Sequence, residues 1–427
     1  MQETKIQSIC IVGLGYVGLP TAATFAARGF DVIGVDINRE AVDHINSGRA
    51  HIVEPDLDMV LGAAVKSGKL RAITKPEAAD AFVIAVPTPI THDHKADISA
   101  VEAALKSIAA VLKRGDLIII ESTSPVGTTE HAATLLRKLR PELSFPDTNP
   151  EQSDILLAYC PERILPGRTL RELTENARVL GGLDRLSAVR AKELYASFAM
   201  GPMRLTTARV AELSKLVENA FRDVNVAFAN ELSLVCDSLG IDVWSVIQTA
   251  NLHPRVNILA PGPGVGGHCI PIDPWFIHQA APELTPLIKA AREVNDGKPH
   301  FVADRIVKLA KRFRQPVIGL LGLSYKPNVD DLRESPALEI ASRIASRRIG
   351  TVLAVEPHLK ELPPELANYP GVHLTDLNTA VKRADIVGIL VAHNKFRSLD
   401  RGAVASKIVV DTVGLLAGSD DAIGHAA

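Results

Sequence analysis

The chain has 427 residues, 47% of them apolar, and its 47 basic and 49 acidic side chains give a formal net charge of −2. That length calls for two or three domains, and an even balance of charge without blocks of one sign excludes a basic nucleic-acid stripe and favours a small-molecule ligand. Cys10, Cys160, Cys236 and Cys269 are scattered without a C-x-x-C pair, and no apolar run reaches the roughly 18 residues of a membrane span, so a soluble cytoplasmic protein with reduced thiols is expected.

The first elements alternate short β-branched runs with helical patterns: IQSICIVGLG, a helix through Thr21 to Arg28, DVIGVD, AFVIAVPTP and DLIIIESTSPVG. That grammar predicts a parallel, doubly wound sheet. Gly13-x-Gly15-x-x-Gly18 follows the first strand and opens a helix, and Asp36 ends the second strand 18 residues after Gly18. The first glycine permits a tight turn, the second lets backbone approach a pyrophosphate, and the third brings helix and strand together. N–H groups at the helix start would hold the phosphates. Gly13, Gly15, Tyr16, Val17, Gly18 and Asp36 are therefore the expected contacts of a dinucleotide. Asp36 would accept hydrogen bonds from the adenosine ribose and repel a 2′-phosphate, which selects NAD; Arg39 is the one residue that argues for NADP.

Val86-Pro87-Thr88-Pro89 and Ser122-Thr123-Ser124-Pro125 end later strands of this sheet, where either ligand contacts or ordinary turns are expected. His92, Asp93, His94 and Asp97 mimic a metal site, but they lack the usual second pair of ligands and read as a solvated loop, so no metal is expected. Pro161-Glu162-Arg163 places charge beside proline directly after an apolar run and, alone, reads equally as a surface turn.

From about Thr207 to Leu239, Val210, Leu213, Val217, Phe221 and Val224 recur at helical spacing, and Gly240 is a stop signal. Such a helix would run about 50 Å at 1.5 Å per residue. It is expected to connect domains and to pack against a second subunit, a plain buried helix being the alternative. Lys215, Asn219 and Arg222 fall within about 60° on its wheel, a polar stripe that by itself equally describes a solvated face. The loop GGHCIPIDP follows, holding Cys269 between two glycines and two prolines; an isolated cysteine is usually a packed hydrophobe. After about residue 315 the α/β grammar returns in VIGLLGL, TVLAVEP, ADIVGILVAHN and KIVVDTVG. The fold class expected is thus α/β: two Rossmann-like doubly wound domains joined by a long central helix and a helical dimerisation region, divided as 1–200, 201–302 and 303–427.

The stretches IVGLGYVGLP, VPTP, ESTSPVGTTE, YCPERILPG, ELSKLVENAFRDVNVAFANEL, HPRVNILAPGPGVGGHCIPIDPWF, GLSYKPNVDDLRESPALEI and VVDTVG occur in order along nearly the whole chain. Together they resemble the NAD-dependent nucleotide-sugar 6-dehydrogenases, which oxidise the C6 hydroxymethyl group of a UDP-sugar to a carboxylate. HPRVN, CPER and GGHCIPIDPWF look most like the N-acetylhexosamine branch, which implies a UDP-N-acetylhexosamine substrate. UDP-N-acetylmannosamine is expected first, with UDP-N-acetylglucosamine or UDP-glucose as alternatives.

Removing four electrons at one carbon requires two NAD in succession and retention of the aldehyde, and a thiol solves the second problem. By the resemblance, Cys269 captures the aldehyde as a thiohemiacetal that becomes a thioester and is then hydrolysed. A cysteine with pKa near 8.5 is only about 3% thiolate at pH 7, so a nearby cation should help. Lys215 matches the family's catalytic lysine and Asn219 would donate to the same oxygen or hold a water. Asp273 would orient that water or the lysine; Glu162, with Thr123 as water partner, would serve as base for hydrolysis.

The family pattern further assigns Arg163, Ile164, Lys215, Asn219, Arg222, His253, Arg255, Gly266, Tyr325 and Lys326 to the nucleotide sugar, and Thr88, Thr123 and Arg333 to the cofactor. In relatives the arginine matching Arg255 reaches a neighbouring subunit, which implies a homodimer. His268 is read as a loop-packing residue rather than the base. One departure stands out: the family's terminal V-V-D-x-[KR]-G motif carries a basic residue where this chain has Val413. A catalytically silent NAD-responsive binding protein is the reading from another class, and the presence of Lys215, Asn219, Cys269 and Asp273 together argues against it.

Overall fold

The computed structural model describes residues 5–91, 93–164 and 167–417. Two compact units are present: the first runs to Glu218 and includes Trp275–Ala281, and the second comprises Asn219–Pro274 and resumes at Pro282.

The first unit is built on eight strands: β1 (Ser8–Val12), β2 (Asp31–Val35), β3 (Leu70–Ile73), β4 (Ala81–Ile84), β5 (Leu117–Ile120), β6 (Leu156–Tyr159), β7 (Arg178–Gly182) and β8 (Met203–Thr207), ordered β3-β2-β1-β4-β5-β6-β7-β8. Alternate residues feed opposite faces: Ile9 and Ile11 join one core, Cys10 and Val12 the other. Because helices cover both faces, the central strands β4, β5 and β6 are buried and apolar throughout rather than alternating. The order in which strands are added reverses between β1 and β4, which opens a crevice at their carboxyl ends where open α/β sheets bind ligands. One junction departs from the expected parallel sheet: β6 and β7 pair antiparallel, through Ala158 with Gly182 and Tyr159 with Gly181. The first helix also starts earlier than the expected Thr21, spanning Gly18–Ala27.

The second unit holds a smaller parallel sheet of β9 (Val317–Leu321), β10 (Thr351–Val355), β11 (Val372–Leu374), β12 (Ile386–Ile389) and β13 (Ile408–Asp411), ordered β11-β10-β9-β12-β13. Ile318, Leu320, Val352 and Ala354 fill one face while Leu321, Leu353 and Val355 fill the other.

The long helix is Ala208–Leu239, 32 residues, within a residue of expectation. A second long helix, Pro286–Ala310, contains Pro299 in its interior; the sequence alone reads such a proline as a break. Its Arg292 is buried, donates to Asp223 of the long helix at 2.6 Å, and Asn295 donates to the same carboxylate at 2.8 Å. A buried charge is tolerated only when paired and hydrogen-bonded in this way. Among the described residues no helix is long and apolar enough to cross a membrane.

Candidate active site

The dinucleotide cradle forms as its glycines require. Gly13 has φ +94° and donates to Val35 O at 2.8 Å. A Cβ on Gly13 would lie 2.4 Å from Ala85 O, and one on Gly18 only 1.8 Å from Gly13 O, so neither position admits a side chain. Around Gly15 nothing lies within 4 Å of such a Cβ, which leaves open space beside the helix start. Tyr16 is exposed and Val17 partly so. Asp36 accepts from Leu14 N at 3.0 Å and from Asn38 N at 2.9 Å, which locks its carboxylate beside the glycine turn. Glycines filled by backbone, an open step at Gly15 and a fixed acid fit an NAD molecule with its pyrophosphate on the helix N-terminus. Arg39 is exposed at the start of the next helix, which Asn38 caps. At the ends of β4 and β5, Ser122 Oγ accepts from Val86 N at 2.9 Å and Thr88 Oγ1 donates to Thr123 O, so the VPTP and STSP turns are clasped together.

Of the polar loop that mimics a metal site, His92 lies outside the described residues. Asp93 pairs with Lys95 at 2.7 Å, Asp97 accepts from Ser99 N, and His94 stacks on Trp275 at 4.3 Å.

Glu162 is buried rather than displayed on a surface turn. Its Oε1 accepts from Arg163 N at 2.7 Å and its Oε2 meets Arg178 Nη1 at 3.3 Å. Arg163 in turn pairs with Glu218, while Ile164 packs partly against the first core. Sequence reasoning missed the rest of this cluster. The Arg178 guanidinium lies over the Tyr195 ring at 4.6 Å and reaches Cys160 Sγ at 3.9 Å. Tyr195 OH donates to Glu121, a fully enclosed carboxyl that burial, then the nearby Glu162 charge, push up to about 7. Burial likewise raises the Cys160 thiol to about 12, so Cys160 is a packed cysteine without thiolate character. The available signal was a glutamate immediately after the apolar run LIII and an arginine opening the strand RVLGG.

On the long helix, Lys215 is partly buried, Asn219 lies one turn further on, and Arg222 is exposed. Asn219 Nδ2 donates to Asp273 Oδ2 at 2.5 Å. Asp273 is only 2% exposed and its N–H donates to Cys269 O at 2.9 Å, as does that of Ile272 at 3.1 Å. The turn Cys269–Asp273 is therefore tied to the asparagine of the long helix, while Cys269 itself is exposed, unlike Cys10, Cys160 and Cys236.

The glycines of this loop are set by close approach. A Cβ on Gly266 would meet Glu334 O at 2.5 Å, and one on Gly267, at φ +90°, would meet the Tyr325 ring at 2.9 Å. Tyr325 thus lies against the loop that leads to Cys269, and the Nζ of its neighbour Lys326 sits 5.5 Å from the centre of its ring. His268 Nε2 is 3.7 Å from Asp331, which Arg333 grips with two hydrogen bonds of 2.9 and 2.7 Å. Burial and the Arg333 charge lower the His268 pKa. His253 and Arg255 are exposed. Val413 packs partly into an apolar core of the second sheet, its N–H donating to Asp411 at 3.0 Å.

The sequence matches three domains of one family: the NAD binding domain over residues 7–199, the central domain over 209–297 and the UDP binding domain over 319–418. It is 58% identical, over 97% of each chain, to an NDP-N-acetyl-D-galactosaminuronic acid dehydrogenase of Ralstonia nicotianae. It is 53% identical to a UDP-N-acetyl-D-mannosamine dehydrogenase of Yersinia pestis, covering 96% of this chain and 99% of that one. The solved UDP-D-ManNAc dehydrogenase of Pyrococcus horikoshii superposes with a TM-score of 0.86 at 38% identity over 97% of both chains. With all three domains matched in order, and with a cradle whose glycines and aspartate fit NAD, the chain belongs to the UDP-glucose/GDP-mannose dehydrogenase family of NAD-dependent oxidoreductases acting on CH–OH.

Proposed function

We propose that the protein oxidises the C6 hydroxymethyl group of a UDP-N-acetylhexosamine to a carboxylate, with UDP-N-acetylmannosamine as the preferred sugar. The observation that carries the reading is the exposed Cys269 on a turn tied through Asp273 to Asn219, one helical turn from Lys215. UDP-N-acetylglucosamine and UDP-glucose are the weaker alternatives. The 58% identical Ralstonia relative favours N-acetylgalactosamine as a second reading of the sugar.

Bound NAD supplies the hydride acceptor for each two-electron oxidation. Gly13, Gly15, Tyr16, Val17 and Gly18 hold its pyrophosphate, Asp36 its ribose, and Thr88, Thr123 and Arg333 complete the contacts. Lys215 takes the hydroxyl proton and balances the alkoxide charge, with Asn219 donating to the same oxygen. Cys269 Sγ then bonds to C6 of the aldehyde, whose oxygen gains a proton, so the aldehyde stays attached. The thioester left by the second oxidation is attacked by a water whose proton passes to Glu162, with Thr123 as the water's partner; the C–S bond breaks and the thiol is restored. Asp273 orients Asn219 throughout. Arg163, Ile164, Arg222, His253, Arg255, Gly266, Tyr325 and Lys326 bind the nucleotide sugar, cations facing the diphosphate.

We further propose a cytoplasmic homodimer and keep the division 1–200, 201–302 and 303–427 as its modular organisation. Val210, Leu213, Val217, Phe221, Phe228, Val235 and Leu239 are all exposed. They share an arc of about 80° on the long helix and extend along it for about 44 Å, roughly opposite the Lys215 face. An apolar stripe of that length on a helix whose other face carries the chemistry suits a second copy of the chain.

The test is a purified-enzyme assay with NAD and each UDP-sugar in turn. Two NADH per sugar, no aldehyde captured by a carbonyl reagent, and the highest kcat/KM for UDP-N-acetylmannosamine are expected; Cys269→Ser should stall at the aldehyde level. One NADH per sugar with released aldehyde would overturn the mechanism, and a higher kcat/KM for the galactosamine sugar would replace the substrate.

A further inference from the structure

The two sheets repeat one local construction. At the end of β1, Gly13 has φ +94°, donates to Val35 O at 2.8 Å, and the next N–H, from Leu14, reaches Asp36. At the end of β9, Gly322 has φ +94°, donates to Val355 O at 2.8 Å, and the next two N–H groups, from Leu323 and Ser324, reach Glu356 at 2.8 and 3.1 Å. Glu356 therefore stands in the second sheet where Asp36 stands in the first. Unlike Asp36, it is sealed: it is 4% exposed, its Oε1 accepts from His358 N, and its Oε2 meets Nε2 of His393, itself 0% exposed, at 3.2 Å. Burial opposes its charge, but the His393 contact and the backbone donors hold its carboxyl below the usual range.

The other ring nitrogen of His393 identifies what the pair does. Nδ1 accepts from Asn328 N at 3.0 Å. A backbone N–H can only donate, so Nδ1 carries the lone pair and Nε2 carries the proton, which faces Glu356 Oε2 and Ser324 Oγ, each at 3.2 Å. This also disposes of a metal reading for Glu356, His358 and His393, whose ligand atoms lie within 4.8 Å of one another: neither nitrogen of His393 is left to bind an ion. Asn328 sits at φ +63° and its Oδ1 accepts from Asn394 N at 2.9 Å, so the two turns clasp each other in both directions. The clasped segment is short and bears Tyr325 and Lys326, the two residues proposed for the nucleotide sugar. Ser324 Oγ donates to Lys326 O at 2.9 Å, Tyr325 N donates to Asp331 O at 3.1 Å, and the Tyr325 ring packs on Gly267.

We infer that His393 is a positioning residue for nucleotide-sugar binding, fixing through the Asn328 N–H the turn that presents Tyr325 and Lys326. The inference rests on the proposed assignment of those two residues to the nucleotide sugar. Glu356 supplies the anchor by holding the imidazole in one tautomer and orientation, as a carboxylate does for a ligating histidine elsewhere.

Two amide substitutions separate the two nitrogens. In His393→Asn the side-chain oxygen falls near the place of Nδ1 and still accepts from Asn328; in His393→Gln the amide reaches toward Glu356 and the Asn328 N–H is left without its acceptor. Initial rates are measured with UDP-N-acetylmannosamine varied at saturating NAD, and with NAD varied. His393→Gln should raise the sugar KM about tenfold, the equivalent of one lost hydrogen bond, while His393→Asn stays within about threefold, a difference too small to represent the same loss. The NAD KM should be unchanged in both. Equal rises in both variants, no rise in His393→Gln, or failure of both to fold would overturn the inference, since each makes His393 a packing residue. Lys326→Ala measured alongside separates the two levels: an unchanged sugar KM there refutes the assignment of the turn to the substrate, whatever His393 does.

Discussion

Glu121→Gln should stabilise the protein at pH 8 and leave it nearly unchanged at pH 5. Glu121 is 2% exposed, its Oε1 accepts from Tyr195 OH, and its Oε2 has no hydrogen-bond partner among the described residues. One guanidinium, Arg178, serves this neighbourhood, and it pairs with Glu162. Burial and the Glu162 charge consequently raise Glu121 from the ordinary 4.5 to about 7. A carboxyl that binds its proton more tightly folded than unfolded makes stability fall as pH climbs from about 4.5 to 7, by about 1.4 kcal/mol per pH unit in the middle of that window. The wild-type protein therefore loses about 2.5 kcal/mol between pH 5 and pH 8 that the glutamine variant, with no proton to lose, keeps. The substituted amide retains an oxygen for the Tyr195 hydroxyl. Urea unfolding of both proteins at the two pH values, with each midpoint converted by its own slope, reads the difference. A stability gap that is the same at pH 5 and pH 8 would refute the reasoning, because it would mean that Glu121 is ionised in the folded protein throughout.

Two further outcomes are expected. Asp36→Ala should raise the KM for NAD about tenfold, the loss of a charge-assisted hydrogen bond of about 1.5 kcal/mol, and narrow the preference over NADP; steady-state rates with both dinucleotides check it, and an unaltered NAD-to-NADP ratio would show that the carboxylate serves only Leu14 and Asn38. Phe221→Asp combined with Phe228→Asp should convert the proposed dimer to monomer, since burying two phenylalanines contributes about 3 to 6 kcal/mol to an interface; sedimentation velocity at micromolar protein reads the mass, and a double variant that sediments like the wild type would remove the long helix from the proposed interface.

The cofactor cradle was legible in the sequence because its physics is local. A glycine at positive φ, a second with open space and a third under a helix are properties of consecutive residues, and Gly13, Gly15, Gly18 and Asp36 announce them by spacing. The long helix was legible for the same reason, through a period sustained over about nine turns. The antiparallel β6–β7 junction was not, because an apolar strand looks the same in either direction. Nor was the Glu121–Glu162–Arg178–Tyr195 cluster, whose members are up to 74 positions apart in the chain and whose proximity depends on sheet order. The Asn219–Asp273 bond lies between these cases: the residue types were singled out, but their contact across 54 positions came only from the fold. Pro299 misleads in the opposite sense, since packing keeps the helix Pro286–Ala310 continuous through a residue whose intrinsic preference is to break it.

The repeated strand-end carboxylate sharpens what a Rossmann-like sheet implies. Asp36 and Glu356 receive backbone N–H groups in the same way, and a sequence comparison of the two halves would give them the same role. Their surroundings differ by one residue of consequence. Next to Asp36 the glycine turn opens onto unfilled space at Gly15; over Glu356 the buried His393 donates from above and ties in Asn328. A carboxylate with room beside it can receive ribose hydroxyls, whereas a sealed one can only hold its own protein in place. The second sheet thus repeats the geometry of a dinucleotide site with its acid turned inward, and the turn Tyr325–Asp331 beside it is the surface proposed above for the nucleotide sugar. Fold resemblance alone would put a second cofactor there; the sealed hydrogen bonding of Glu356 argues against one and favours the nucleotide sugar beside it instead.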